Sequence, residues 1–215
     1  MYIEISEYGK RIGKKIVLEN INLQLSGGNV YGLCGVNASG KTMLLRAIAG
    51  LIRPTTGRVM IDGKLLGKEI SFPPSVGILL ESPSFLDSYT GQGNLELLAQ
   101  IKNEIGKEQI CEVMKRIGLD PDDERKYKKY SLGMKQKLGI AAAVMEHPKL
   151  ILLDEPTNSL DERSVEMLIS FFKDLRDEGA LIVVTSHDKS FLYRISDVIY
   201  HIDDGKIEEC IYAKE

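Results

Sequence analysis

No apolar run in this sequence approaches the roughly 20 residues that a bilayer-crossing helix needs, so any membrane role must work through a partner. Excess charge of either sign is also missing. Lys and Arg number 28 against 31 Asp and Glu, and the net charge of -3 gives no reason to expect nucleic acid or an anionic membrane as main ligand. Cysteine is scarce. Cys34, Cys111 and Cys210 are odd in number and lack metal-ligand spacing, which fits a reducing cytosol and reads each as a small buried hydrophobe rather than a ligand. Glu4 and Glu7 stand early in the chain, where a secretory signal would carry basic and then apolar residues, so no signal peptide is expected. Internal repeats and low-complexity stretches are absent. What remains is a globular composition, 43% hydrophobic and 27% charged over 215 residues, enough for one large or two small folding units.

Against that background one glycine-rich run stands out, Gly35-Val36-Asn37-Ala38-Ser39-Gly40-Lys41-Thr42. It has the phosphate-loop pattern of two glycines five apart followed by Lys and Thr. Val30 to Cys34 before it reads as a buried strand, and Met43 to Ala49 after it reads as a helix. The glycines let backbone N–H groups turn inward toward phosphate oxygens, and the helix N-terminus adds partial positive charge. Lys41 can reach the β- and γ-phosphates, and the Thr42 hydroxyl can ligate Mg²⁺.

The rest of the chain divides by pattern. Tyr2 to Ser6 and Ile16 to Leu25 alternate as strands, Val59-Met60-Ile61 runs into an Asp62-Gly63 hairpin turn, and Val76 to Leu80 is a short buried strand. Asn94 to Asn103, Lys107 to Ile117 and Leu132 to Met145 have helical spacing, and the charged stretch Asp122 to Lys129 reads as a solvated loop or helix end. Leu150 to Leu153 and Ala180 to Thr185 are continuous apolar strands of a sheet covered on both faces. Glu162 to Glu178 is an amphipathic helix between them, and a final hairpin turns at Asp203-Asp204-Gly205. Leu150 to Leu153 runs into Asp154 and Glu155, which reads either as a metal-side carboxylate followed by a general base or as a core strand with a solvated acidic turn.

Upstream of those carboxylates lies Tyr130-Ser131-Leu132-Gly133-Met134-Lys135-Gln136-Lys137-Leu138. Downstream lie Thr157-Asn158-Ser159-Leu160-Asp161 and Thr185-Ser186-His187-Asp188. In this order and spacing the set resembles the nucleotide-binding subunit of ATP-binding-cassette (ABC) transporters, over essentially the whole chain. The resemblance implies an α/β fold: a RecA-like phosphate-loop NTPase core with a small antiparallel β portion and a helical insertion. The core would occupy residues 1–84 and 147–215, and a helical subdomain with the signature motif residues 85–146. It implies ATP and Mg²⁺ as cofactors, with Thr42 and Asp154 on the metal, Glu155 as general base and His187 on the γ-phosphate. Ser131 and Gly133 would contact the ATP of a second subunit, and Asp161 would signal across that dimer. The second ATP-binding subunit would be an identical chain or a paralogue. The other partner would be a membrane permease, and no nucleic acid is expected. The chain would then be cytoplasmic, held on the inner face of the membrane by the permease. The alternative is a soluble cassette acting on ribosomes or DNA; a third reading, a non-hydrolysing regulatory subunit, is opposed by Lys41, Asp154, Glu155 and His187.

Several positions depart from the family pattern. Ile12 stands where an aromatic usually stacks on adenine, with Tyr8 four residues earlier as the other candidate. Ala38 replaces a common glycine, Met43 replaces a residue whose hydroxyl often meets the α-phosphate, and the signature reads Ser-Leu-Gly-Met. Glu81 follows the strand Val76 to Leu80, where most such subunits have a Gln facing the metal and the attacking water. With Thr90 to Leu95 and the signature wording, this looks like exporters of bacitracin and lantibiotic type, which often carry a longer C-terminal extension. Glu81 is thus expected on the metal or water, or else is drift without consequence. Phe85 and Leu86 are expected either as permease contacts or as core.

Overall fold

Alternating apolar residues make strands of Tyr2–Ile12 (β1) and Lys15–Ser26 (β2). In the computed structural model, which describes residues 1–212, they pair antiparallel from Tyr2 opposite Ser26 to Ile12 opposite Lys15. Asn29–Cys34 (β3) follows, then the glycine-rich loop and the helix Lys41–Ile48 (α1). Thr56–Ile61 (β4) pairs antiparallel with β1, and the Asp62-Gly63 turn returns the chain to Lys64–Leu65 (β5). Val76–Leu79 (β6) leads into the helices Gly91–Lys102 (α2), Lys107–Arg116 (α3) and Leu132–Val144 (α4). Leu150–Asp154 (β7), Glu162–Asp177 (α5), Leu181–Thr185 (β8), Lys189–Ile195 (α6), Val198–Asp203 (β9) and Lys206–Tyr212 (β10) complete the chain.

The antiparallel sheet has the order β2-β1-β4-β5. The larger sheet has the order β10-β9-β3-β8-β7-β6, parallel from β9 to β6 with β10 antiparallel at its edge. Strand alternation sends β7 side chains to two different cores. Ile151 and Leu153 join the helices α2 to α6 on one face; Leu150 and Leu152 join α1 and the antiparallel sheet on the other. All four are fully buried, which is why β7 and β8 read as unbroken apolar runs. Each such side chain contributes about 1.5–3 kcal/mol through burial. The helical stretch is fastened to the sheet by α4. A Cβ on Gly77 of β6 would meet the Ala143 carbonyl oxygen at 1.6 Å, so α4 lies directly on that strand.

The structure changes the expectation for one cysteine and separates Phe85 from Leu86. Cys34 is buried, and that burial pushes its thiol up in pKa, but Cys210 is exposed on the edge strand β10 and is no buried hydrophobe. Phe85 packs edge-on against the Tyr127 ring at 5.3 Å, whereas its neighbour Leu86 is exposed. Among the described residues no helix is long and apolar enough to cross a membrane.

Candidate functional site

The loop between β3 and α1 is shaped by its backbone. Gly35 has φ 151°, and a Cβ there would lie 2.1 Å from the Ile202 carbonyl oxygen, so only glycine fits. Ala38 holds a left-handed φ of 64° despite its Cβ, at the position where glycine is common in the family. Lys41 is 6% exposed and its ammonium donates only to carbonyls of its own loop, Gly35 at 2.7 Å and Val36 at 3.0 Å. No ion pair among the described residues involves it. The Ser39 hydroxyl, buried in the same loop, has no hydrogen-bond partner among the described residues. A buried cation without a counter-charge and an orphaned hydroxyl beside a helix N-terminus fit an anionic group such as a phosphate. Asn37, Ala38, Gly40, Lys41, Thr42 and Met43 line a cavity of about 360 Å³ above this loop.

A continuous hydrogen-bonded path runs along the cavity. Thr42 Oγ1 donates to Asp154 Oδ2 at 2.7 Å, and Thr185 Oγ1 donates to Asp154 Oδ1 at 2.6 Å. The Glu155 N–H donates to Thr185 Oγ1 at 2.9 Å, and the Glu155 carbonyl accepts from Gln136 Nε2 at 3.2 Å. Glu155 itself takes a left-handed φ of 48°. Its Oε2 lies 2.8 Å from His187 Nδ1. An ionised carboxylate only accepts, so a proton belongs on Nδ1 and His187 Nε2 is free for a second partner. The Thr42 and Asp154 oxygens are hard donors side by side, the set that suits Mg²⁺. Glu155, held at the cavity wall, has the chemistry of a general base.

The signature residues lie elsewhere. Ser131 Oγ caps α4 by accepting from the Met134 N–H at 3.2 Å, and Asp161 caps α5 by accepting from the Ser164 N–H at 2.8 Å. Hydrogen bonding from Ser164 holds the Asp161 carboxyl below the ordinary carboxylate range. Ser131, Gly133 and Asp161 line one broad surface hollow that shares no residue with the loop cavity.

Three candidate residues stand apart from the loop cavity or the Thr42–Asp154 pair. Ile12 is 54% exposed at the hairpin end of β1 and does not line the cavity; Lys15, Ile16 and Val17 at the start of β2 do. Tyr8, the other candidate for the base, is fully buried with its hydroxyl toward the Ile52 carbonyl, and burial pushes its pKa up to about 12. Glu81 does not reach the Thr42–Asp154 pair. It has φ 62° and its carboxylate forms an ion pair with Arg46, one helical turn beyond Thr42 on α1. Thr185, Gln136 and Arg46 were missed as site residues. For Thr185 a signal existed: a lone hydroxyl ends a buried apolar strand, and in the parallel register it stands opposite Asp154. The β9–β10 turn also reaches the cavity through Asp204 and Gly205, which no local pattern reveals.

Comparison with known proteins agrees with this fold. The family model described as ABC transporter matches residues 18–158. The chain is 42% identical over 216 residues to the uncharacterized ABC transporter ATP-binding protein YybJ of Bacillus subtilis (strain 168), covering 99% of both chains. It is 36% identical over 215 residues to the bacitracin transport ATP-binding protein BcrA of Enterococcus faecalis, covering 99% of this chain and 70% of that relative. A dimeric structure of a bacterial ABC transporter cassette superposes with a TM-score of 0.87 at 25% identity, over 99% of each chain.

Proposed function

The chain belongs to the ABC transporter family as an ATP-binding ATPase subunit, and on that premise we propose that it powers a separate membrane permease, an exporter of antimicrobial-peptide or drug type. The observation that carries the reading is the hydrogen-bonded path Thr42–Asp154–Thr185–Glu155–His187, of which Thr42, Asp154 and Glu155 line the phosphate-loop cavity. In this reading Gly35 to Thr42 bind the phosphates of ATP, and Met43 stands by the α-phosphate. Thr42 and Asp154 hold Mg²⁺, which offsets phosphate charge when bound. Glu155 takes the proton of the water that attacks the γ-phosphorus, and the bond to the ADP oxygen breaks. His187, fixed by Glu155 through Nδ1, presents Nε2 toward the γ-phosphate and water. Ser131, Gly133 and Asp161 act on the ATP of a second subunit, which explains why they stand apart from this chain's own loop. Residues 85–146 are proposed as the helical subdomain that receives the permease, with exposed Leu86 at the contact. That assembly would hold the chain on the cytoplasmic face of the membrane. The bacitracin type is suggested by Glu81 together with the likeness to BcrA. A cassette acting on ribosomes or nucleic acid gains no support from a net charge of -3.

The test is steady-state hydrolysis by Glu155→Gln. Removing a general base lowers turnover by about 10²–10⁴-fold. ATP binding, measured by nucleotide titration, should stay within a few-fold. Near-normal turnover would remove Glu155 from the base role.

A further inference from the structure

The Glu81–Arg46 pair bears on the role beside the metal or attacking water that the family resemblance implies for Glu81, and the inference rests on that role and on the proposed ATPase. We propose that Arg46 is a positioning residue for Glu81: it holds that carboxylate against α1, and breaking the pair frees Glu81 to turn toward Thr42 and Asp154.

Four observations support this. Glu81 follows β6 in a left-handed conformation, φ 62°, which residues with a Cβ disfavour and which aims its side chain at α1. Its carboxylate is met by the Arg46 guanidinium, whose Nη1 also lies 3.7 Å from Met43 Sδ on the same helix. Arg46 belongs to the same helix as Lys41 and Thr42, so the latch is mounted on the element that cradles the phosphates. Glu81 also lines a cleft with Asp154 and Glu155, so its alternative position is within the site's own walls.

Charge makes the two positions exclusive. A carboxylate facing a cation in the cleft and a carboxylate closed on Arg46 cannot be the same conformer. The neutral Gln that most family members have here could accept a hydrogen bond from Arg46 but form no ion pair with it, a weaker latch. The pair is half in solvent, with side chains 34% and 66% exposed. Exposed ion pairs are weak, and a weak latch is one that a conformational change can open.

The test uses the full chain and MgATP, with Arg46→Met, Arg46→Lys, Glu81→Gln and the double variant Arg46→Met/Glu81→Gln. Arg46→Met should raise kcat roughly two- to fivefold, the range an exposed ion pair can impose on a two-position equilibrium. KM should stay within about twofold, since the phosphate loop is untouched. Arg46→Lys should restore the native rate, and the double variant should match Glu81→Gln alone. Arg46→Gln serves in place of Arg46→Met if that variant does not fold. An unchanged kcat in the uncharged variant overturns the proposal, and so does an equal effect of Arg46→Met with and without Glu81→Gln. That second result removes Arg46 alone. Normal transport by Glu81→Gln and Glu81→Ala in the complex with the permease would instead remove the wider reading of Glu81.

Discussion

Ile12, Tyr8 and Ile16 decide how the base of the nucleotide can be held. Tyr8 is locked in the core under the antiparallel sheet, and Ile12 faces solvent beyond the cavity. Among the described residues no aromatic side chain lines the phosphate-loop cavity; Ile16 and Val17 give it an aliphatic wall. Losing a stacking contact forfeits about 0.5–1.5 kcal/mol, so ATP and GTP should bind within roughly tenfold of each other. Titration of both onto the full chain measures this, and a hundredfold preference for ATP would contradict it. At this scale the sequence was legible where chemistry is local. Lys41, Thr42, Asp154 and Glu155 follow from short motifs next to buried strands. Thr185 and Arg46 were not, because their partners Asp154 and Glu81 are distant in sequence and meet only through sheet register and helix placement.

Among the elements, α4 connects the sheet to the signature. Its N-terminus is capped by Ser131, and its C-terminal half lies on β6 with no room for a methyl group at Gly77. Gly77→Ala must therefore push α4 off the strand. Overpacking of this kind costs about 1–3 kcal/mol, or roughly 2–12 °C in Tm for a chain of this length. Ser131 and Gly133 should move with α4, so the variant should also lose ATP-driven association before it loses ATP binding. An unchanged melting temperature would show that the contact can relax. Helices with clear apolar spacing were readable almost to the residue: Lys107 to Ile117 was expected and Lys107–Arg116 is found. The seven-residue helix α6 was not, because two turns are too short for periodicity to separate from the strand before it. Nor does any pattern within the β9–β10 hairpin announce that its turn packs on Val17 and Ser39 beside the phosphate loop.

The molecule as a whole carries two surfaces that do not meet. Its phosphate loop, Asp154 and Glu155 open on one cavity, while Ser131, Gly133 and Asp161 line another hollow with no shared residue. Two copies facing each other would bring each signature surface to the other's loop, and ATP would then hold the pair together by binding the closed state better than the open one. A free chain with no ATP has no such bridge. The most direct measurement is the solution mass of Glu155→Gln by light scattering, with and without ATP, since slowed hydrolysis leaves the nucleotide intact. The account predicts a monomer alone and twice that mass with ATP. A chain that binds ATP in titration yet stays monomeric at every concentration tested would contradict it.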